Sequence, residues 1–543
     1  MLSRRLFLAG LAAAPGLRSQ GVEARIDVVV DDPIGTIAPE IYGHFVEHLG
    51  AVVYDGIWVG EDSRVPNIGG IRKALVDALK PMRPGVIRWP GGCFADQYDW
   101  RDGAGARKAR PKRTNFWAAA PEWPKSANRT GPQVYDPNHF GTIEFSRFCK
   151  LTGAEPYFAA NLRSLPAQDY WRWVEYCNSP AGTTTLAEQR AVDGEREPLG
   201  VRYWGVGNES WGCGGGFAPE EYAIEYRRYS EWVPSYGVRV AQIASGPNGN
   251  DLNWTRKFFE RARGALGRTW GFALHHYSWN LSSGRTTEWM AGKRDALKFS
   301  DEEYYELLKE GSRVEQLITS HWDAMGEFDR AHRVKVVVDE WGSWYAPGTE
   351  PFPEALLGQQ NTMRDAVLAG ISLDVFNRHA DKVAMANSAQ LVNCLQSLFF
   401  AHEDKFCVTP TGHVFQMYAD HQKAQSVRTI VSAPAVRYTR AGAPASVAGL
   451  SCSASTQGKR LVLTVTNTDL KQPREVAIGV GRAATIASVA GTVLSAPDVH
   501  AHNTLQAPSQ VAPKNVAGLK ASGSSLTHAF PPASVTKLVI DLA

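Results

Sequence analysis

Short apolar runs recur between residues 36 and 405, separated by segments of helical periodicity. They are Ile41–Val46, Val86–Trp89, Pro156–Asn161, Val201–Val206, Val238–Ala244, Gly271–His275, Val334–Val338 and Val383–Asn387. Most are rich in Val, Ile or aromatics, as strands buried on both faces are. The fifth is the least clean, because Arg239 and Gln242 interrupt it. Between the first two runs, Ile71, Ala74, Leu75, Ala78 and Leu79 have the spacing of one apolar helical stripe. Eight strands alternating with helices make this an α/β chain and predict a (β/α)8 TIM barrel. A doubly wound open sheet has the same alternation, and periodicity does not separate the two.

After about residue 406 the helical period fades. Arg460–Asn467 alternates with period two, and Ser534–Ile540 reads as a final strand after Pro531-Pro532. Short strands between Pro-, Gly-, Ser- and Ala-rich segments predict a C-terminal β-sandwich, jelly-roll-like in kind. Ala24–Val30 alternates likewise and is expected to join it. The expected division is an export signal over 1–20, a catalytic barrel over 36–405, and a sandwich from 21–35 plus 406–543.

Composition narrows the class. The 543 residues are 44% hydrophobic and 21% charged, which excludes a disordered chain. After the first twenty positions there is no apolar run of about 18 residues, so stable membrane insertion is not expected. Those twenty contain Arg4, Arg5 and Arg18 and no acid; without them the net charge of +3 falls to zero. A neutral body has no global electrostatic reason to bind nucleic acid. The basic start, short apolar stretch and Ser3-Arg4-Arg5-Leu6-Phe7-Leu8 read as a twin-arginine-type address, predicting a periplasmic or secreted protein. Seven scattered cysteines (93, 149, 177, 213, 394, 407, 452) form no CxxC pair, so a disulfide framework is not expected. One or two bridges remain open.

The chemistry sits where the apolar runs end. Five of the eight lead into ionisable or aromatic groups: Glu47-His48, Arg88-Trp89-Pro90-Gly91-Gly92-Cys93, Asn208-Glu209, His275-His276-Tyr277 and Asp339-Glu340-Trp341. In a barrel those ends share one mouth. Glu209 ends the fourth run and Glu340 the seventh, so they face the mouth from opposite sides. Two buried carboxylates cost desolvation and repel each other. If one is held protonated and the other ionised, the pair can cleave a glycosidic bond. The plainer alternative is that each is salt-bridged to an arginine or caps a helix. Other chemistries lack their frames. The glycine clusters have no strand–GxGxxG–helix context or P-loop lysine, His275-His276 has no HExxH, and no GxSxG elbow appears. The chemistry needs two carboxylates and water, so no cofactor or metal is expected. The basic stretch Arg107–Arg113 reads as a solvated loop, with contact to an anionic polymer the other reading.

At these motifs the chain resembles a glycoside hydrolase family 51 α-L-arabinofuranosidase. The stretches that carry the likeness are Ile41–His48, Arg88–Asp96, Asn138–Gly141, Tyr203–Gly215, Asp339–Gly342 and Gln360–Ala366. The resemblance implies a (β/α)8 barrel with a C-terminal sandwich and retaining, exo-acting release of terminal arabinofuranosyl units from hemicellulose or pectin side chains. It implies Glu209 as general acid/base and Glu340 as nucleophile. It assigns Glu47, Arg88, Cys93 and Asn208 to the sugar pocket, with Asn208 on the 2-hydroxyl and Arg88 keeping Glu340 ionised. His275 and Tyr277 would orient the carboxylates, and Trp117, Trp344 and Gln396 would lie in the pocket or on its rim. For Cys93 a small buried hydrophobe is the competing reading. The family's habit of forming oligomers is implied as well. Ser210 and His276 depart from the family's usual residues, which bears on the leaving-group side. Another retaining barrel glycosidase, an endoglucanase or xylanase, and a non-catalytic sugar-binding protein are the alternatives.

Overall fold

The computed structural model describes residues 24–282, 286–481 and 484–543. Eight parallel strands close into a barrel: β1 (Gly43–Phe45), β2 (Val86–Trp89), β3 (Glu155–Ala160), β4 (Tyr203–Val206), β5 (Ala241–Ala244), β6 (Thr269–Ser278), β7 (Lys335–Ser343) and β8 (Val383–Ala389). Each falls on one of the eight apolar runs, and closure of β8 onto β1 rules out the open sheet. β5 starts only at Ala241, because Val238 is held in a turn to Ser235.

Neighbouring residues on a strand divide between two cores. Val86, Tyr157, Tyr203 and Val337 fill the barrel interior, while Ile87, Phe158, Trp204 and Val336 pack outward under the helices. Both faces of each strand are therefore buried, which is why the runs are continuously apolar rather than alternating. The predicted stripe over 71–79 is a helix over Lys73–Leu79 that buries Leu75, Val76 and Leu79. Ala74 is exposed, and Ile71 belongs to a short strand instead.

The second β-rich region is a ten-stranded sheet. Ala24–Thr36 runs through it, antiparallel to Gln425–Ser432 and parallel to Arg474–Gly479. Residues distant in sheet order, Leu526 and Phe530 on one side and Leu538 and Ile540 on the other, share one core with Ile26 and Leu463. The sheet thus curls over itself as a sandwich. In Arg460–Asn467 the apolar set Leu461, Leu463 and Val465 faces that core, while Thr464 and Thr466 turn to the buried Asp374 of the barrel helix Met363–Arg378.

Cys93 and Cys213 form a disulfide, and the other five cysteines are free and buried. The basic stretch is not simply solvated: Arg107 and Arg110 pair with Glu144, and Arg113 pairs with Asp102. Among the described residues no helix is long and apolar enough to cross a membrane.

Candidate active site

The strand ends open on a cavity of about 860 Å³, lined by Glu47, Cys93, Trp117, Asn208, Glu209, His275, Tyr277, Glu340 and Trp344 among others. Arg88 and Gln396 do not line it; both lie behind the wall.

Glu340 owes its position to a bulge in β7. Leu274 pairs with Val338 but His275 pairs with Glu340, so Asp339 is the extra residue. A bulge of this kind re-aims side chains. Asp339 turns to Tyr157 and Asn387, at 2.9 and 2.8 Å, while Glu340 faces the cavity. Arg88 stands between them. It donates to Glu340 Oε1 at 2.6 Å, lies 3.2 Å from Asp339 and also donates to Asn208. Tyr277 donates to Glu340 Oε2 at 2.8 Å. Burial alone would push the Glu340 carboxyl up, but His275, Arg88 and the Tyr277 hydroxyl outweigh it and hold the group below its ordinary value.

Glu209 follows β4 in a tight turn and has a left-handed φ of 37°, a conformation a non-glycine residue adopts only when its surroundings impose it. His275 Nδ1 lies 3.0 Å from Glu209 Oε1 and 3.5 Å from Glu340 Oε2. One oxygen of each carboxylate and one nitrogen of this histidine all lie within 4.8 Å of one another. Burial disfavours the charged imidazolium, but the two carboxylates outweigh that and raise the His275 pKa.

The far end of the cavity is built around Glu47. It accepts hydrogen bonds from the backbone N–H groups of Gly92 and Phe94, and burial pushes its carboxyl up to about 7. Gly91 and Gly92 make this approach possible. A Cβ at Gly91 would stand 2.5 Å from Glu47 Cγ, and one at Gly92 would stand 3.1 Å from Glu340 Oε1. Asp96 ties three loops together through the backbone N–H groups of Leu162, Arg163 and Asn208. Cys93 is partly exposed to the cavity and bonded to Cys213, unlike a small buried hydrophobe. Gln396 accepts from Ser343 N and donates to Asp365 O, bracing the end of β7.

On the outer side, Trp344 meets Tyr277 edge-on at 5.0 Å and Trp289 at 4.8 Å. Lys293 sits over both indoles, 4.1 Å from Trp289 and 4.3 Å from Trp344, and burial lowers its pKa to about 7. Sequence reasoning missed Gln390, which exchanges hydrogen bonds with Glu47, and also Trp211, Trp289 and Cys213. Of these only Trp211 and Cys213, inside the Tyr203–Gly215 motif, carried a signal.

A closed barrel with two carboxylates meeting at its mouth is the arrangement on which barrel glycoside hydrolases work. The family model described as alpha-L-arabinofuranosidase 1 domain matches residues 78–281, and that of the alpha-L-arabinofuranosidase C-terminal domain matches 339–534. An intracellular exo-alpha-L-arabinofuranosidase of Bacteroides ovatus is 36% identical over 97% of both chains. An intracellular exo-alpha-(1->5)-L-arabinofuranosidase of Bifidobacterium longum is 26% identical over 89% of this chain and 86% of its own. The crystal structure of a family 51 arabinofuranosidase from Xanthomonas axonopodis pv. citri superposes with a TM-score of 0.87 at 34% identity, over 96% of this chain and 100% of that one. The chain belongs to glycoside hydrolase family 51, the α-L-arabinofuranosidases.

The expectation of export is corrected by the same comparison. The Bacteroides and Bifidobacterium relatives are named intracellular, which overturns a periplasmic or secreted assignment. The residues on which that expectation rested, 1–20, lie outside the described ones. A basic pair before a short apolar stretch is a compositional signal, and composition alone does not make a segment an address.

Proposed function

We propose that Glu340 is the nucleophile and Glu209 the general acid/base of a retaining, exo-acting α-L-arabinofuranosidase. The observation that carries this reading is that one oxygen of each carboxylate and a ring nitrogen of His275 lie within 4.8 Å of one another, so both carboxylates reach a single sugar ring. Glu340 is the ionised partner, held so by Arg88, His275 and Tyr277. In the first step its carboxylate attacks the anomeric carbon, the bond to the leaving oxygen breaks, and Glu209 gives that oxygen its proton. In the second, Glu209 takes a proton from water, the water oxygen attacks the anomeric carbon, and the ester to Glu340 breaks. Asn208, oriented by Arg88, would meet the sugar's 2-hydroxyl, and Glu47 its other hydroxyls. The substrate is an arabinose-containing oligosaccharide or polysaccharide side chain. Work inside the cell is the setting that the names of the relatives support.

Hydrolysis of p-nitrophenyl α-L-arabinofuranoside, with xylan and β-glucan as controls, tests the activity; turnover of the polymers alone would sink it. Glu340→Ala is expected to abolish hydrolysis. Glu209→Ala is expected to lose about 10²–10⁴-fold on oligosaccharides, and less on the aryl arabinoside, whose leaving group needs little protonation. Azide should restore turnover of the aryl substrate by Glu209→Ala and give an arabinosyl azide.

A further inference from the structure

The Cys93–Cys213 bridge lies against the proposed acid/base. Cys213 Sγ is 3.8 Å from Glu209 Oε2, and Cys93 lines the cavity. The two sulfurs and a Glu209 oxygen all lie within 4.8 Å of one another, and all three residues are partly exposed. We propose that opening this disulfide by a thiol reductant creates a site for a soft divalent cation, held by Cys93, Cys213 and Glu209, and that occupancy of this site switches the enzyme off.

The chemistry balances with a dithiol as the co-reactant. Its thiolate attacks one sulfur of the bridge and forms a mixed disulfide, and its second thiol displaces the protein sulfur. Two electrons pass to the protein pair, which becomes two thiols, and the reductant leaves as its own disulfide. A cation of the zinc or cadmium kind then binds as the two thiols release two protons. In tetrahedral zinc coordination a thiolate sulfur and a carboxylate oxygen stand roughly 3.6 Å apart. The 3.8 Å between Cys213 Sγ and Glu209 Oε2 is close to that spacing. The fourth position faces the cavity, open to water. A carboxylate bound to the cation can neither give a proton to the leaving oxygen nor take one from water.

Two further observations single out this pair. The five other cysteines are buried, and burial raises their thiols well above the ordinary value, Cys407 and Cys452 to about 12, so none offers a ready thiolate. The pair also joins the loops after β2 and β4, and it is partly exposed, so a small thiol of an intracellular pool would reach it. The bridge then keeps Glu209 free of soft metals whenever it is closed. The binding claim stands on the thiols; only its inhibitory consequence rests on the role given to Glu209.

The test uses the full chain. It is reduced with dithiothreitol, freed of reductant without oxygen, and titrated with Cd²⁺ in parallel with the oxidised enzyme. The thiolate-to-cadmium charge-transfer band is read in the ultraviolet, arabinoside hydrolysis in the same samples, and near-ultraviolet circular dichroism reports folding. Reduction is expected to expose two reactive thiols. Cadmium should then give the band and lower hydrolysis at least about tenfold, reversed by a chelator, while the oxidised enzyme shows neither effect. Cys213→Ser should lose the band. Glu209→Gln should keep it with affinity about tenfold weaker. The proposal is overturned if the reduced enzyme shows no band, unfolds or cannot be reduced. Equal inhibition of both forms also overturns it, since that would place the cation on Glu209, His275 and Glu340, the other cluster within 4.8 Å. A band without any arabinoside turnover by the metal-free enzyme would instead count against the proposed activity.

Discussion

At the scale of single residues, the site turns on one buried cation. Arg88 is 1% exposed and serves Asp339, Glu340 and Asn208 at once. Removing it leaves two buried carboxylates without the cation they share. Arg88→Met is therefore expected to cost about 3–5 kcal/mol of stability, measured by urea unfolding. Arg88→Lys keeps a charge but not the fork that reaches three partners. The pH dependence has a definite sign. Arg88 helps hold Glu340 below its ordinary value, so weakening that contact raises the Glu340 pKa. The acid limb of kcat/KM in Arg88→Lys should move to higher pH; a limb that stays in place would show that Arg88 does not set the ionisation of Glu340.

At the scale of elements, the end of β7 is braced by the helix that follows it. The Thr362 hydroxyl accepts from Arg364 N at 3.1 Å, and Asp365 Oδ2 accepts from Thr362 N at 2.8 Å, closing a capping box on the Met363–Arg378 helix. The other Asp365 oxygen takes the hydroxyls of Ser343 and Tyr345, at 2.7 and 2.8 Å. Thr362→Ala removes only a cap and is expected to cost about 1 kcal/mol with kcat preserved. Asp365→Ala also frees Ser343, three residues past Glu340, so it should cost more and lower kcat. Denaturation and steady-state kinetics on the two variants separate the effects; equal losses of kcat would refute the bracing role. The sequence shows the Thr-x-x-Asp spacing of this cap but not the other half of the arrangement, because the hydroxyls that Asp365 accepts come from Ser343 and Tyr345, 22 and 20 residues earlier.

At the scale of the whole molecule, the turn Ala419–His421, which follows the helix Pro410–Tyr418, meets the ten-stranded sheet through buried polar groups. His421 lies between Ser455 and Thr464, at 2.7 and 3.2 Å, and burial lowers its pKa to about 3. The unfolded chain takes up a proton below about pH 6.5 that the folded chain refuses, so stability is lost as pH falls from 6.5 toward 3. By pH 4 this one group should account for about 3 kcal/mol of the loss. His421→Asn, which has no such titration, should show a flatter dependence in urea unfolding at pH 7 and pH 4; an unchanged dependence would mean that His421 is not the group responsible.

What the linear pattern settled is what depends on local burial. A strand covered on both faces must be apolar throughout, so all eight barrel strands were readable as runs, and chemistry placed just past their ends was readable as polar residues out of keeping with those runs. The tertiary structure decided everything that depends on how distant segments meet. The bulge at Asp339 sends Asp339 and Glu340 to different partners, and it exists only in the pairing of β7 with β6. The left-handed turn at Glu209, the bridge between cysteines 120 positions apart and the place of Gln390 against Glu47 have the same origin. Each depends on segments distant in the chain that the tertiary fold brings side by side, and no local spacing encodes it.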